Sequence, residues 1–313
     1  MSTDEMITSL QNPRVKQVVR LRDRRDRDRE SKFLIEGYRE LSCAVAVSQP
    51  LSEVYCCPDL YLGSNEPGLL RDATNQCGAE IQPVTEDVFR KISYRDRPDG
   101  LIAVAPVPEW GLGRLEGGDC GETALYLVAQ AIEKPGNLGT ILRTADAAGV
   151  DGVVVVDRCT DLYNPNVVRA SVGTLFTVPI AEATSDEALE WFRQRGVRLI
   201  ATSPDAKKHY NDADLSGPLA IIMGSEQYGL DERWLEEGRA EFAEWAVYGI
   251  RPQGFIAGYL NKPSVSLSSK NSFHTWYGGS FLLLLYLHEN FGRRAFSEAH
   301  GRSQHRGLRA IDD

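Results

Sequence analysis

The sequence predicts an α/β fold, because short apolar runs alternate with helical segments along most of the chain. Residues 125–132 (LYLVAQAI), 153–156 (VVVV) and 219–223 (LAIIM) have the length and composition of strands buried on both faces. Between such runs, segments like 186–195 (DEALEWFRQR) space their apolar residues as an amphipathic helix does. This alternation is typical of a mostly parallel sheet with helices on both faces.

The first hundred residues show the same alternation on a smaller scale. Strands are predicted at 33–35, 51–57, 81–84 and 100–107, with helices at 36–47, 68–77 and 86–93 and one charged helix within 7–30. Residues 106–122 (PVPEWGLGRLEGGDCGE) are rich in Pro and Gly and have no periodicity, which is typical of a linker. We therefore predict a small α/β domain over 1–105, a linker over 106–122, a larger domain over 123–291 and a disordered polar tail over 292–313.

In the larger domain we predict helices at 137–148, 186–195 (capped by Ser185), 231–237 and 278–290, and a short helix near 167–171. Further strands are predicted at 152–157, 176–180 and 197–202.

Two loops of the larger domain follow predicted strands and carry the residues of interest. They are 133–139 (EKPGNLG) and 224–230 (GSEQYGL). In a parallel sheet the carboxyl ends of the strands meet at one edge, where ligands bind, so both loops are expected at one site. Gly136 and Gly139 allow a tight turn or a close approach of backbone.

Arg143 follows within the predicted helix and is a candidate to face a ligand. A plain surface arginine is the alternative.

Charge and composition limit the classes of function. The net charge is −9 and the pI about 5.2, which argues against binding of nucleic acid by the whole surface. Basic residues cluster at 14–32 and 293–309; the first cluster is interleaved with acidic residues and also fits a solvated helix. The six cysteines form no CxxC pair and the five histidines no HExxH pattern, so reduced thiols and no metal are expected. The longest apolar run, 281–287, is too short to span a bilayer and the N-terminus has no apolar signal core, so a cytoplasmic protein is expected.

Several motifs resemble those of one family. Residues 137–143 (NLGTILR) and 221–230 (IIMGSEQYGL) resemble the first and second motifs of the SpoU–TrmH family of RNA ribose 2′-O-methyltransferases, in the SPOUT or α/β-knot superfamily. Residues 168–176 (VRASVGTLF) with Pro179 are similar to the connector between those motifs. Residues 7–21 and 33–41 resemble the family's RNA-binding domain, which is similar to ribosomal protein L30e. The resemblance covers about residues 7 to 237. The sequence has no GxGxxG run after the first predicted strand of the larger domain, which argues against a dinucleotide-binding fold.

The resemblance implies a SPOUT-type parallel sheet with a C-terminal trefoil knot after a small L30e-like domain. It implies S-adenosylmethionine as cofactor, structured rRNA or tRNA as substrate, and a homodimer. By matching position it implies Asn137, Arg143, Glu226 and Asn261 as catalytic residues. The cofactor-binding residues that it implies are Gly224, Ser225, Glu226, Gly229, Leu260, Asn261 and Ser264.

The roles of three of these residues stay open. A guanidinium is always protonated in proteins, so Arg143 fits a cationic role better than the general base proposed for the family. Asn137 also reads as a helix N-cap. Glu226 also reads as an acceptor that caps its own loop.

The third motif of the family is matched poorly. Residues 241–250 read EFAEWAVYGI where the family has Ile-Pro-Met, and the best match to the remainder is 259–266 (YLNKPSVS), with two extra residues. Pro263 also removes a backbone donor from this segment. Three explanations of this departure remain open: a divergent pocket that still works, a degraded enzyme that still binds RNA, and a sequence altered in this region. The leading hypothesis is a methyltransferase; the alternatives are a non-catalytic RNA-binding paralogue and a small-molecule α/β enzyme that binds phosphate at 224–230.

Overall fold

The computed structural model describes residues 6–116, 124–157, 160–203, 213–225 and 227–237, together with the backbone of 239–243. The predicted helix at 278–290 and tail at 292–313 lie outside these residues. Within them the chain forms two sheets, one of four strands and one of six. The α/β fold class is therefore confirmed.

The N-terminal sheet has the strand order β1-β4-β2-β3, with β2 and β3 parallel and the other pairs antiparallel. Its elements are α1 (Pro13–Arg20), α2 (Arg24–Glu30), β1 (Lys32–Glu36), α3 (Tyr38–Ala46), β2 (Glu53–Cys56), α4 (Glu66–Cys77), β3 (Glu80–Pro83), α5 (Glu86–Ile92) and β4 (Leu101–Pro106). Alternate residues of each strand face two separate apolar clusters. Side chains such as Phe33 and Ile35 face α3 and α4, while Leu34 and Tyr55 face α1 and α5.

The prediction of one charged helix before β1 was wrong, because the chain turns between α1 and α2. Asn12 caps α1 by accepting a hydrogen bond from the backbone of Arg14 (2.8 Å). Arg27 Nη1 donates to the carbonyls of Leu21 (3.0 Å) and Arg22 (2.6 Å), which lie in the turn. The buried guanidinium thus satisfies backbone acceptors that a continuous helix would have used itself.

The second sheet has six parallel strands in the order β10-β8-β9-β5-β6-β7. Its elements are β5 (Leu125–Gln130), α6 (Pro135–Ala148), β6 (Gly152–Val156), α7 (Pro165–Ser171), α8 (Thr174–Thr177), β7 (Ile180–Ala183), α9 (Ser185–Gln194), β8 (Arg198–Ser203), β9 (Leu219–Met223), α10 (Glu232–Glu237) and β10 (Arg239–Ala243). Leu138 and Ile141 of α6 pack on one face of the sheet, and Ala188 and Phe192 of α9 on the other. The direction of strand connection reverses between β5 and β9, because β5 leads to β6 on one side and β9 to β10 on the other.

The predicted bounds differ from the observed ones at several elements, and three of the differences have a physical reason. The helix predicted from Asn137 begins at Pro135, because proline has the helical φ and needs no partner for a backbone N–H. Thr184, not Ser185, caps α9, in a capping box with Glu187. The strand predicted at 176–180 is instead α8 followed by β7, because Phe176 packs against β1 rather than within the sheet.

The two sheets share one apolar core. The ring of Phe33 in β1 lies 4.8 Å from that of Tyr163 and 6.4 Å from that of Phe176, measured between centroids. Within the predicted linker, Trp110 and Leu115 are buried, and the Trp110 carbonyl accepts a hydrogen bond from the backbone of Glu182 (2.5 Å). The beginning of this segment is therefore packed against the second sheet.

Cys43, Cys56, Cys57 and Cys77 are free thiols, and burial raises the pKa of each. Cys120 and Cys159 lie outside the described residues. In the part of the chain that the structure describes, no helix is long and apolar enough to cross a bilayer.

Candidate functional site

The loops after β5 and β9 leave the sheet side by side. The two strands pair in parallel from Leu125 with Leu219 to Ala129 with Met223. At the end of β5, Gln130 Nε2 donates to Asp231 Oδ2 (2.6 Å), and the backbone N–H of Asp231 donates to Gln130 Oε1 (3.1 Å). This amide ties the end of the 224–230 loop to the start of the segment that leads into α6.

The loop 224–230 is folded back on itself. The backbone N–H of Ser225 donates to the Gly229 carbonyl (3.0 Å), and that of Gly229 donates to the Ser225 carbonyl (2.9 Å). Gly229 has φ +68°, a value that favours glycine. A Cβ on Gly224 would lie 2.3 Å from the Gly229 carbonyl carbon, so no side chain fits there. Gly224 and Gly229 therefore present only backbone where the loop meets the edge of the sheet.

Helix α6 packs on α7 at Gly139. A Cβ on Gly139 would lie 2.4 Å from the Ala170 Cβ and 2.6 Å from the Ala170 carbonyl carbon. The two backbones can come this close only because residue 139 has no side chain. The predicted close approach at Gly139 is thus made to the connector between the two motifs.

Arg143 is held in place from two sides. Its Nη1 donates a short hydrogen bond to the Ala170 carbonyl at the end of α7, and its Nη2 donates to Thr140 Oγ1 (3.1 Å), one turn earlier in α6. Thr140 Oγ1 in turn donates to the Gly136 carbonyl (2.9 Å). Gly136, Thr140 and Arg143 therefore run along one face of α6 toward its N-terminus, and the half-buried guanidinium keeps further N–H donors for a ligand.

Asn137 lies in the first turn of α6 and is half-buried. The N-cap position belongs to Lys134, so the interpretation of Asn137 as the N-cap was wrong. Six residues separate Asn137 from Arg143, a rise of about 9 Å along the helix and a rotation of roughly 120° between their directions. The two side chains thus lie on the same helix but on different faces of it.

A polar network at the same edge was not predicted from the sequence. Ser185 Oγ donates to Asp157 Oδ2 (2.5 Å) and accepts from Trp234 Nε1 (2.7 Å), while Gln130 Nε2 also donates to Asp157 (3.1 Å). Burial raises the pKa of Asp157, but the hydrogen bonds from Ser185 and Gln130 outweigh it and hold that pKa below its ordinary value. The only signal in the sequence was a polar residue, Gln130, at the end of an otherwise apolar strand.

Of the predicted site residues, Asn137, Arg143, Gly224, Ser225 and Gly229 lie on α6 and the adjacent loop. Glu226, Leu260, Asn261 and Ser264 fall outside the described residues. In the described ranges, no three His, Cys, Asp or Glu side chains come together as ligands for a metal ion. The edge thus combines a glycine-rich backbone loop with an anchored guanidinium, which can hold an anion or stabilise a developing negative charge.

Comparison with protein families gives two matches in this chain. Residues 124–242 match the SpoU rRNA methylase family, and residues 12–103 match the MRM3-like substrate binding domain. An uncharacterized tRNA/rRNA methyltransferase of Synechocystis sp. is 32% identical over 231 residues, which cover 74% of this chain and 81% of that protein.

Solved structures show the same relationship. A crystal structure of an RNA 2′-O ribose methyltransferase is 35% identical with a TM-score of 0.68, and the match covers 92% of this chain and all of that one. The AdoMet-bound rRNA methyltransferase of Sinorhizobium meliloti is 25% identical with a TM-score of 0.71, over 91% of this chain and 97% of that one.

Proposed function

Because the chain belongs to the SpoU rRNA methylase family, we propose that it transfers the methyl group of S-adenosylmethionine to a ribose 2′-hydroxyl of rRNA or tRNA. The observation that carries the proposal is that the 224–230 loop and the segment leading into α6 leave the neighbouring strands β9 and β5 at one edge of the sheet, where Gln130 bonds Asp231 at the end of that loop. That edge lies where strand connections reverse, the usual place for a ligand in a parallel sheet.

The 224–230 loop is the part of the edge that suits the cofactor. Gly224 admits no side chain and Gly229 has a left-handed φ, so the loop offers backbone groups at close range. We assign Gly224, Ser225, Glu226 and Gly229 to cofactor binding, with Leu260, Asn261 and Ser264 completing the pocket. When bound, S-adenosylmethionine supplies an electrophilic methyl group on a sulfonium.

Arg143 is assigned to the RNA side of the reaction. Its hydrogen bonds to Ala170 and Thr140 set the direction of the guanidinium before RNA binds, so little ordering remains to be done in the transition state. The guanidinium stays protonated, so it contacts the phosphate beside the target ribose or the alkoxide that develops there. Asn137, Glu226 and Asn261 are assigned to alignment of the attacking hydroxyl.

The N-terminal unit is assigned to RNA binding. Its residues 12–103 match a substrate-binding domain, which supports an L30e-like RNA-binding domain over 1–105. We place a linker at 106–122 and a catalytic domain over 123–291, within which residues 124–242 match the methylase family. We further propose a C-terminal trefoil knot, a homodimer and a cytoplasmic location, which follow from the family and from an RNA substrate.

The test is methyl transfer from radiolabelled S-adenosylmethionine to rRNA and tRNA from cells that lack this gene. We expect transfer, with the modified ribose mapped by its resistance to alkaline cleavage. Arg143→Ala should lower kcat by about a hundredfold or more while calorimetry shows unchanged cofactor affinity. Arg193→Ala is the matched control, because Arg193 is exposed on α9, across the sheet from α6. No cofactor binding at millimolar concentration would favour a non-catalytic RNA-binding protein, and retained turnover in Arg143→Ala would refute its role.

A further inference from the structure

A crevice separates the N-terminal sheet from α7. Leu34, Glu36 and Tyr94 line it on the side of the N-terminal unit, and Pro165, Val168 and Arg169 line it on the side of α7. It therefore lies between the unit assigned to RNA binding and a helix that contacts Arg143. Its residues come from three segments of the sequence, 34–36, 94–95 and 165–169, and none of them belongs to the site residues assigned above.

Tyr94 presents an aromatic ring in this crevice. The residue is 42% exposed. Its hydroxyl accepts a hydrogen bond from Asn166 Nδ2 (3.3 Å), and the guanidinium carbon of Arg22 lies 5.8 Å from the ring centroid. The ring is thus oriented by residues of both units and keeps exposed surface. Aromatic rings placed in this way stack on unpaired bases of RNA.

One cation of the crevice is free to bind an anion. Arg169 is exposed, and its guanidinium makes no hydrogen bond or ion pair with any other residue that the structure describes. Glu36 is the nearby carboxylate, and both of its oxygens are already occupied, Oε1 by Ser93 Oγ (2.5 Å) and Oε2 by the backbone N–H of Tyr94 (2.8 Å). Arg95 is likewise engaged, with Glu40 and Asp99. Arg169 is therefore the cation in the crevice that can still take a phosphate.

Helix α7 connects this crevice to Arg143. Asn166, Arg169 and Ala170 stand at positions i, i+3 and i+4, so they share one face of the helix. Asn166 contacts Tyr94, and the Ala170 carbonyl accepts from Arg143. The residues of α7 that contact Tyr94 and Arg143 are thus about one helical turn apart, roughly 6 Å along the axis.

We propose that a nucleotide next to the methylated one binds over the mouth of this crevice, with its base stacked on the exposed ring of Tyr94 and its phosphate on Arg169. The proposal rests on the proposed function and adds to it a subsite that selects RNA by an unpaired neighbouring nucleotide. The nucleotide must be unpaired, because a base within a helix has no free face to offer the ring.

The test uses the full-length protein with rRNA from cells that lack the gene. We expect Tyr94→Leu and Arg169→Ala each to raise the KM for RNA about tenfold, which corresponds to about 1.4 kcal/mol, and to leave the KM and calorimetric Kd for S-adenosylmethionine unchanged. Tyr94→Phe, which keeps the ring, should stay within about twofold of the wild type. Arg169→Ala should also reduce the slope of log affinity against log salt by about one, and the exposed Arg193→Ala should change none of these values.

The outcomes distinguish a failure of the subsite from a failure of the proposed function. A wild-type protein that methylates RNA together with a Tyr94→Leu variant of unchanged KM for RNA would overturn the subsite alone. A wild-type protein that transfers no methyl group would overturn the proposed function. The subsite would then be judged by filter binding of the same RNA, where equal affinity of wild type and Tyr94→Leu overturns it and a loss that Tyr94→Phe does not show supports it. Unchanged cofactor affinity verifies that each variant is folded.

Discussion

Replacing Gly139 with alanine tests the contact between α6 and α7 that positions Arg143. The added Cβ would stand 2.4 Å from the Ala170 Cβ and 2.6 Å from its carbonyl carbon, whereas ordinary contact begins at 3.4 Å. Helix α7 must therefore withdraw by about 1 Å or α6 must bend, since the obstruction is partly backbone. The carbonyl that must move is the one that accepts from Arg143 Nη1.

The free-energy cost of the clash can be measured separately if a second glycine of α6 serves as a control. Overpacking of this kind costs about 1–3 kcal/mol. Alanine also gains about 1 kcal/mol over glycine in a helix, so Gly139→Ala alone would understate the clash. Gly136→Ala is the matched control, because a Cβ there meets nothing within 4 Å. The difference in unfolding free energy between the two variants should thus be about 1–3 kcal/mol, with Gly139→Ala the less stable.

The assay is urea unfolding followed by circular dichroism, with methyl transfer measured under native conditions. We expect Gly139→Ala to unfold at lower urea concentration than Gly136→Ala and to lose kcat, because its arginine is displaced, while it still binds S-adenosylmethionine. Equal unfolding free energies would show that α6 and α7 separate without cost, and the packing explanation would then be wrong.

Three further substitutions test other parts of the molecule. Gly224→Ala should weaken S-adenosylmethionine binding about tenfold or more in calorimetry, because its Cβ would stand 2.3 Å from Gly229 and force the loop open. Arg27→Met should lower the free energy of unfolding in urea by about 3–5 kcal/mol, because Arg27 is buried and the ionised Asp161 would lose its partner. Asp157→Asn should flatten the loss of stability below pH 4 in acid unfolding. The folded pKa of Asp157 lies below its ordinary value of 3.8, so its ionised form stabilises the fold above that pH and the contribution disappears as pH falls through the folded pKa.

Each of these has a control. Gly224→Ala should stay folded and lose no more than roughly the 1–3 kcal/mol of one such clash in unfolding free energy, and a larger loss would mean that the loop supports the fold rather than the ligand. Adding Asp161→Asn to Arg27→Met should restore part of the stability; no recovery would show that the loss comes from the carbonyls of Leu21 and Arg22 instead. An Asp157→Asn protein with the wild-type acid profile would show that the hydrogen bonds to its carboxylate do not stabilise the folded state.

The buried strands were predicted well because burial on both faces leaves an unbroken apolar run. Strand β9 occupies the residues predicted for it, Leu219–Met223. The end of α6 at Ala148 was also predicted, and Gly149 follows it with the left-handed φ of +65° that ends many helices. Starts of helices were predicted less well. Lys134 occupies the N-cap of α6 without a side-chain cap bond, so the position carries no compositional signal.

Contacts between distant segments could not be predicted from the sequence at all. Arg27 looked like one of many charges on a solvated helix, yet it is buried and bound to Asp161, 134 positions away. Tyr94 and Asn166 showed no periodicity or motif that would join them. The hydrophobic pattern of a segment shows which of its faces is buried, but it does not show which distant segment packs against that face.

The sequence by itself therefore determined the alternation of strands and helices, the glycine-containing loops and the family resemblance. These depend on local propensity and on residues close together in the chain. Only the tertiary structure decided that β5 lies beside β9, that Arg143 is anchored to α7 and that Tyr94 faces Arg169 across a crevice. Each of these depends on hydrogen bonds and packing between segments far apart in sequence, and such contacts exist only once the chain has folded.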